Sequence, residues 1–343
     1  MNAIPDNEEV RRARLRALAF IKKDQGAEDA LPLQLMNPDR TDRTVFSSAY
    51  AALALSFDES PESLAIRHKL VRYIAQEREW PALWRYWGKK SLVPYDLDDS
   101  TLCPFVLEKH GINYSRTDWL LYLHRRREGQ FYAWMMHGNV WTWNPMYWIL
   151  ILRNFTPARL HFRYFGLWKT SGASNPFQYH VISNVHIVQY LGDTPRSAAA
   201  IDWIMDTVRK GREVEHEIYY RDPEFLYLGI GRAYVAGIKR FANIRDVLLL
   251  RIRDRIGADG QIGRNAFTTA AAVAAMLHMD YTGPEVDNGM NWLLQAQDDE
   301  GAWPAAGLDY AAAPPTETCW GSRSLTTSVG VEALVLYQKR IGR

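Results

Sequence analysis

WLLQAQDDEGAW, residues 292–303, is the stretch that decides the fold. It reads as a helix end carrying Gln297, a tight turn at Gly301 and a closing Trp303. A helix leaves its first four amides and last four carbonyls without intrahelical partners. The Gln297 amide can satisfy such groups at a neighbouring helix end while the indole packs over the turn. Looser versions occur at residues 73–80 (YIAQEREW), 127–134 (REGQFYAW) and 252–262 (IRDRIGADGQI). Between them lie apolar helical segments that resemble one another, at 47–55, 99–109, 183–192, 227–238, 268–279 and 326–338. Most open at or near a hydroxyl, acid or amide side chain able to cap a helix. Their spacing, mostly some 40 to 60 residues, suits a helical hairpin plus a loop. The longer interval from Asp99 to Ser183 predicts an extra helical pair. Strand-like alternation is scarce. The expectation is an all-α chain: an α/α toroid over residues 41–343, preceded by an N-terminal helical extension over 1–40.

Composition narrows the function. The 343 residues carry 41 Lys+Arg against 39 Asp+Glu, a net charge of +2. Nucleic-acid binders usually carry a basic excess, so no nucleic-acid partner is expected. Cys103 and Cys319 are too few for a disulfide framework and suit a reducing compartment. They stand in no metal-ligand spacing, so no protein-held metal is expected. The N-terminus lacks the apolar core of a secretory signal. The uncharged run 129–152 is interrupted by polar residues and by Pro145, which would break a helix there, so no membrane span is read. A cytoplasmic protein is expected, with the aromatic run around Trp148 as a site for peripheral membrane contact. Thirteen Trp and 18 Tyr make aromatic surface the outlier of the composition.

The sharpest chemical signal is VPYDLDDSTL, residues 93–102, which places Asp96, Asp98 and Asp99 in a loop running into a helix. Acidic residues there can serve simply as helix caps. They can also form a Brønsted acid. Crowded carboxylates hold a proton through like-charge coupling and titrate as a set. An acid strong enough to protonate an alkene or epoxide leaves a carbocation, which needs a dry pocket and aromatic faces.

With Ser100 following, Asp96-Leu97-Asp98-Asp99 resembles the DxDD(S/T) motif of class II terpene cyclases of the squalene–hopene type. Residues 292–303 resemble the QW repeat of the same family, through Gln297, Gly301 and Trp303. The segment 79–94 (EWPALWRYWGKKSLVP) is similar to the aromatic turn preceding that motif. From residue 47 to 337 the order of elements resembles one catalytic domain, usually called β. The resemblance implies protonation-initiated cyclisation of a linear isoprenoid, an isoprenyl diphosphate or a squalene-like polyene. It implies Asp98 as proton donor, tuned by Asp96 and Asp99. The family's supporting histidine falls on His186, in VHIVQYLG at 185–192, with His180 and Asn184 as fallbacks in the same stretch. No cofactor is implied beyond Mg²⁺ where the substrate carries a diphosphate, for which Arg125, Arg126, Arg127 and Lys169 are the basic residues at hand. Glu213 to Glu217 (EVEHE) could bind such an ion. The chain lacks room for the family's second helical domain, γ. Either β works alone, or a second copy in a homodimer or a partner protein closes the pocket.

Two other readings stand beside this one. The same toroid can serve as a non-catalytic binding scaffold. A carbohydrate-active helical barrel would use two separated carboxylates, Asp98 with Asp309 or Glu317, among stacking aromatics. A cavity ringed by Trp87, Trp143, Trp148 and Trp320, with Asn184 contributing, would favour cyclisation. Trp84 and Trp134 also fall near turns where a pocket would open, whereas Trp303 reads as structural.

Overall fold

The computed structural model describes residues 4–36, 40–135, 142–154, 179–311 and 318–342. Its architecture is a closed ring of inner helices wrapped by outer ones, the α/α toroid. The inner members are α2 (Val45–Leu55), α4 (Asp99–Lys109), α7 (Val181–Leu191), α9 (Pro223–Val235), α11 (Ala266–His278) and α13 (Arg323–Ile341). Each packs on the next, and α13 returns to α2 to close the ring. Every residue of α2 and α7 is buried, so these helices lack the polar stripe of a surface helix. The outer layer includes α1 (Asn7–Gln25), α3 (Pro61–Gln76), α8 (Ala198–Lys210), α10 (Arg245–Arg253) and α12 (Pro284–Ala296). Helix α1 lies along α13 and α3, burying Val10, Ala17, Leu18 and Ile21.

The long Asp99–Ser183 interval adds no member to the inner ring, because α4 packs directly on α7. It contains α5 (Asp118–Leu123) and α6 (Pro145–Asn154) among the described residues. Pro145, expected to break a helix, instead starts one, at the position where its missing amide costs nothing. Among the described residues no helix is long and apolar enough to cross a membrane.

A small antiparallel sheet, not foreseen from the sequence, ties the chain's two ends together. Its order is β2 (Arg40–Arg43), β1 (Pro32–Leu35), β4 (Thr318–Ser322) and β3 (Ala306–Ala311). The strands are four to six residues long, too short for alternation to stand out.

The recurring turn holds outer helices to inner ones. Gln297 Nε2 donates to Ala13 O and to Gly301 O, both at 2.9 Å, and its Oε1 accepts from Arg16. The amide thus bridges into the body of α1, not to a helix end. Gly301 has φ +86°, and a Cβ there would sit 2.6 Å from the Arg16 backbone, so only glycine fits. The same backbone pattern occurs at three turns: Asp298 N to Ala302 O, Gly257 N to Gln261 O, and Arg126 N to Gln130 O. Two residues after each turn glycine, a backbone amide donates to the following inner helix. Trp303 N donates to Thr327 Oγ1, Ile262 N to Thr269 Oγ1, and Phe131 N to Asn184 Oδ1.

The fourth turn, between Glu79 and Leu83, leads to Trp84, whose amide donates to Ser100 Oγ. Trp84 Nε1 donates to Ile74 O as Trp303 Nε1 does to Leu293 O. The packing tryptophan of that unit is therefore Trp84, fully buried, and not Trp80, which is 43% exposed. Across the ring, Glu332 on α13 pairs with Arg232 on α9 and with His278 on α11 at 2.7 Å, all three buried. Such a network specifies how the helices meet more than it adds stability.

Candidate active site

The acidic segment is set by its neighbours before it becomes helix. Asp96 forms a bridge with Trp134, Leu97 N donates to Ala133 O, and Met135 N to Tyr95 O. Asp98 N then donates to Asp96 Oδ1 at 2.6 Å, and Leu102 N to Asp98 O starts α4. Asp98 is the N-cap residue, yet its side chain makes no capping bond. The simple capping role therefore does not account for Asp98. Its carboxylate turns to α7 instead, where His186 Nδ1 lies 2.5 Å from Oδ1. Both side chains are buried.

All three aspartates lie inside the protein, not on its outer face. Burial, then the Asp98 charge, pushes the Asp96 carboxyl up to about 8. Burial, then Asp96 and Asp98, raises Asp99 well above the aspartate range, and neither Asp99 oxygen has a hydrogen-bond partner. A carboxylate left so would be costly, so Asp96 and Asp99 hold protons at neutral pH.

Behind the cluster stands a second polar group. His180, N-cap of α7, sits 3.2 Å from Glu217 and contacts Ser183 Oγ. Burial alone would lower the imidazolium, but the Glu217 charge and hydrogen bond, then Asp98 and Asp96, reverse this and raise it. Glu217 also accepts from the amides of Ile182, Ile218, Tyr219 and Tyr220.

Aromatic rings surround the acid. Phe46 and Tyr50, one turn apart on α2, lie 6.3 and 6.1 Å from the His186 ring. Phe225, at 6.2 Å, stacks on Tyr50 at 4.8 Å and on Tyr220 at 4.5 Å. Phe46 stacks on Tyr86 at 5.9 Å, Tyr86 meets Trp87 at 4.9 Å, and Trp87 meets Trp320 at 5.5 Å. Trp87, Tyr219, Asp309 and Trp320 are only partly buried. The arrangement places the N-terminal ends of α2, α4 and α9 around one acid, with π faces on several sides.

Of the residues singled out from sequence, the fold brings Asp96, Asp98, Asp99 and His186 together, and Trp87 joins Trp320. Trp143 is 88% exposed, and Trp148 is exposed on α6 against Tyr147. Asn184 holds Phe131 N, Phe131 O and His180 O, the repeat's position otherwise filled by Ser100, Thr269 and Thr327. Of the EVEHE carboxylates, Glu213 accepts from Tyr227 and Glu217 faces His180. Arg125 donates to Arg196 O, and Arg126 lies over the Tyr179 ring. Lys169 and Glu317 lie outside the described residues. Among those described, no three His, Cys, Asp or Glu are grouped to hold a metal ion. Sequence reasoning missed Phe46, Tyr50, Tyr86, Tyr220 and Phe225. The signal for four of them was an aromatic within or just before the first two turns of α2 and α9; Tyr86 lies in the segment leading to α4.

No protein-family model matches the chain, and no curated protein matches it in sequence. Solved structures do. A protein from Actinoplanes superposes with a TM-score of 0.71 at 16% identity, over 96% of this chain and 99% of its own. A variant of the type II terpene cyclase MstE from Scytonema, in complex with its substrate geranylgeranyl dihydroxybenzoate, gives 0.67 at 13%, covering 97% and 98%. An unsaturated glucuronyl hydrolase specific for heparin gives 0.54 at 10%, covering 98% and 99%. At such identities likeness speaks for the fold alone: the chain is an α/α toroid with the architecture of class II terpene cyclases, one it shares with a sugar hydrolase.

Proposed function

We propose that this protein is a class II terpene cyclase-like isomerase that protonates a linear isoprenoid and guides its ring closure. The observation that carries the reading is the buried Asp98–His186 contact of 2.5 Å, set between the proton-holding Asp96 and Asp99 and bordered by the rings of Phe46 and Phe225. A hydrogen bond from His186 Nδ1 to Oδ1 leaves the other oxygen of Asp98 to carry the proton. When that proton moves to the terminal alkene carbon, the carboxylate left behind keeps the imidazole bond and gains from the α4 dipole. The cation that forms lies beside the stacked rings of Phe46, Tyr220 and Phe225, aromatic groups that favour positive charge. A hydrolase would need water beside its carboxylates; here apolar rings border the acid, which favours cyclisation over the sugar reading.

The structural neighbour that binds a prenylated aromatic acid makes such compounds natural probes. Purified protein would be incubated with geranylgeranyl dihydroxybenzoate, farnesyl diphosphate, geranylgeranyl diphosphate and squalene, with and without Mg²⁺. Extracts, phosphatase-treated where needed, would be read by gas or liquid chromatography with mass spectrometry. A cyclic isomer is expected from wild type and none from Asp98→Asn, whose circular dichroism stays unchanged. Full activity in Asp98→Asn would sink the assignment.

A further inference from the structure

The cyclisation reading leaves open how the reaction ends, and the structure contains a carboxylate suited to ending it. Asp309 lies on β3 opposite Trp320, beside an irregularity at Gly307/Asp309 that breaks the regular register. Such irregularities re-aim side chains. Directly opposed residues of paired strands share a face of the sheet, so Asp309 stands beside Trp320, whose ring meets Trp87 at 5.5 Å and through it Tyr86 at 4.9 Å. Tyr86 stacks on Phe46, which in turn lies 6.3 Å from the His186 that holds Asp98. A continuous aromatic wall therefore joins Asp309 to the acid, and Trp320 and Trp87 extend it on the Asp309 side. Asp309 keeps accessible surface, yet desolvation dominates its electrostatics.

The other carboxylates nearby are less suited. Glu217 is engaged by His180 and by four backbone amides. Asp96 and Asp99 hold protons at neutral pH. Burial raises Asp309 only to about 6, with the Tyr86 hydroxyl and the His180 charge opposing the rise, so it is mostly ionised at pH 7.

Resting on the cyclase reading above, we propose that Asp309, set opposite Trp320 at the end of the aromatic wall, is the base that removes a proton from the final carbocation. The C–H bond next to the cationic carbon breaks, its electron pair becomes the new alkene π bond, and the proton passes to Asp309. One proton has entered from Asp98 and one has left to Asp309, so product and substrate are isomers. Exchange with solvent then returns a proton to Asp98 and takes one from Asp309.

The test compares wild type, Asp309→Asn and Asp309→Glu in the product assay, with Asp98→Asn as the inactive reference. Asp309→Asn is expected to consume substrate but to move the ratio of alkene to water-captured alcohol by tenfold or more. Asp309→Glu should restore part of the alkene. A wild-type product ratio in Asp309→Asn overturns the base and leaves the cyclase reading intact. No cyclic product from wild type overturns the cyclase reading and the base with it. Should Asp309→Asn turn nothing over, binding of a decahydroquinolinium amine bearing a prenyl tail, a mimic of the last cation, decides by calorimetry. Loss of tenfold or more in affinity relative to wild type supports the proposal; equal affinity overturns it.

Discussion

Replacing Asp96 by Asn should make the protein more stable, and increasingly so as pH rises. In the folded chain burial and the Asp98 charge push the Asp96 carboxyl from its ordinary 3.8 up to about 8. Below pH 4 the group is protonated folded or unfolded and contributes no difference. Above it, the unfolded chain releases the proton while the folded chain keeps it, so stability falls as pH rises and levels off only past the folded value near 8. The slope for one such group is at most about 1.4 kcal/mol per pH unit, so the three units from pH 5 to 8 amount to ~4 kcal/mol. Asn cannot ionise, and its amide oxygen can still accept from Asp98 N, which now donates to Asp96 Oδ1 at 2.6 Å. Urea denaturation of both proteins at unit pH steps from 5 to 9 measures the effect. The difference in unfolding free energy should grow in favour of the variant up to pH 8 and then flatten. A difference that does not change with pH would mean that Asp96 is ionised in the folded protein, and the proton-holding cluster would fall with it.

Two further outcomes follow from neighbouring contacts. His186→Ala removes the 2.5 Å contact to Asp98 while leaving the aromatic wall in place; turnover should fall by roughly 10- to 100-fold with KM little changed, and a loss of stability alone would make His186 a core residue. Gly330 faces the Trp303 ring, where an added Cβ would lie 2.6 Å from Cζ3. Gly330→Ala should therefore cost about 1–3 kcal/mol by overpacking, read as a lowered thermal midpoint; an unchanged midpoint would show that the ring can move aside.

The ring of inner helices was legible because each carries a long, largely apolar stretch and most open near a capping side chain, a pattern that local sequence records directly. The sheet was not, since its strands are short and pair across the length of the chain, Leu35 with Trp320. The same distinction separates the residues of the site. Asp96, Asp98 and Asp99 announce themselves by crowding within four positions, a contrast visible without a fold. His186 looks like any histidine on an apolar helix until α4 packs on α7 and sets its Nδ1 against Asp98. In the repeat, the decisive quantity is a distance from the turn glycine: two residues on, Trp303, Ile262 and Phe131 make the same bond to the next helix although their side chains differ. Reading for tryptophan therefore found Trp80 and Trp134 where the backbone uses Trp84 and Phe131. Trp134, released from the packing position of its turn, stands on the wall of the acidic site, bridged to Asp96 and in contact with Tyr219. A repeat that keeps its hydrogen bonds and varies its side chains can thus build a ring of similar units and still leave one seam, between α4 and α7, where three aspartates and His186 are brought together.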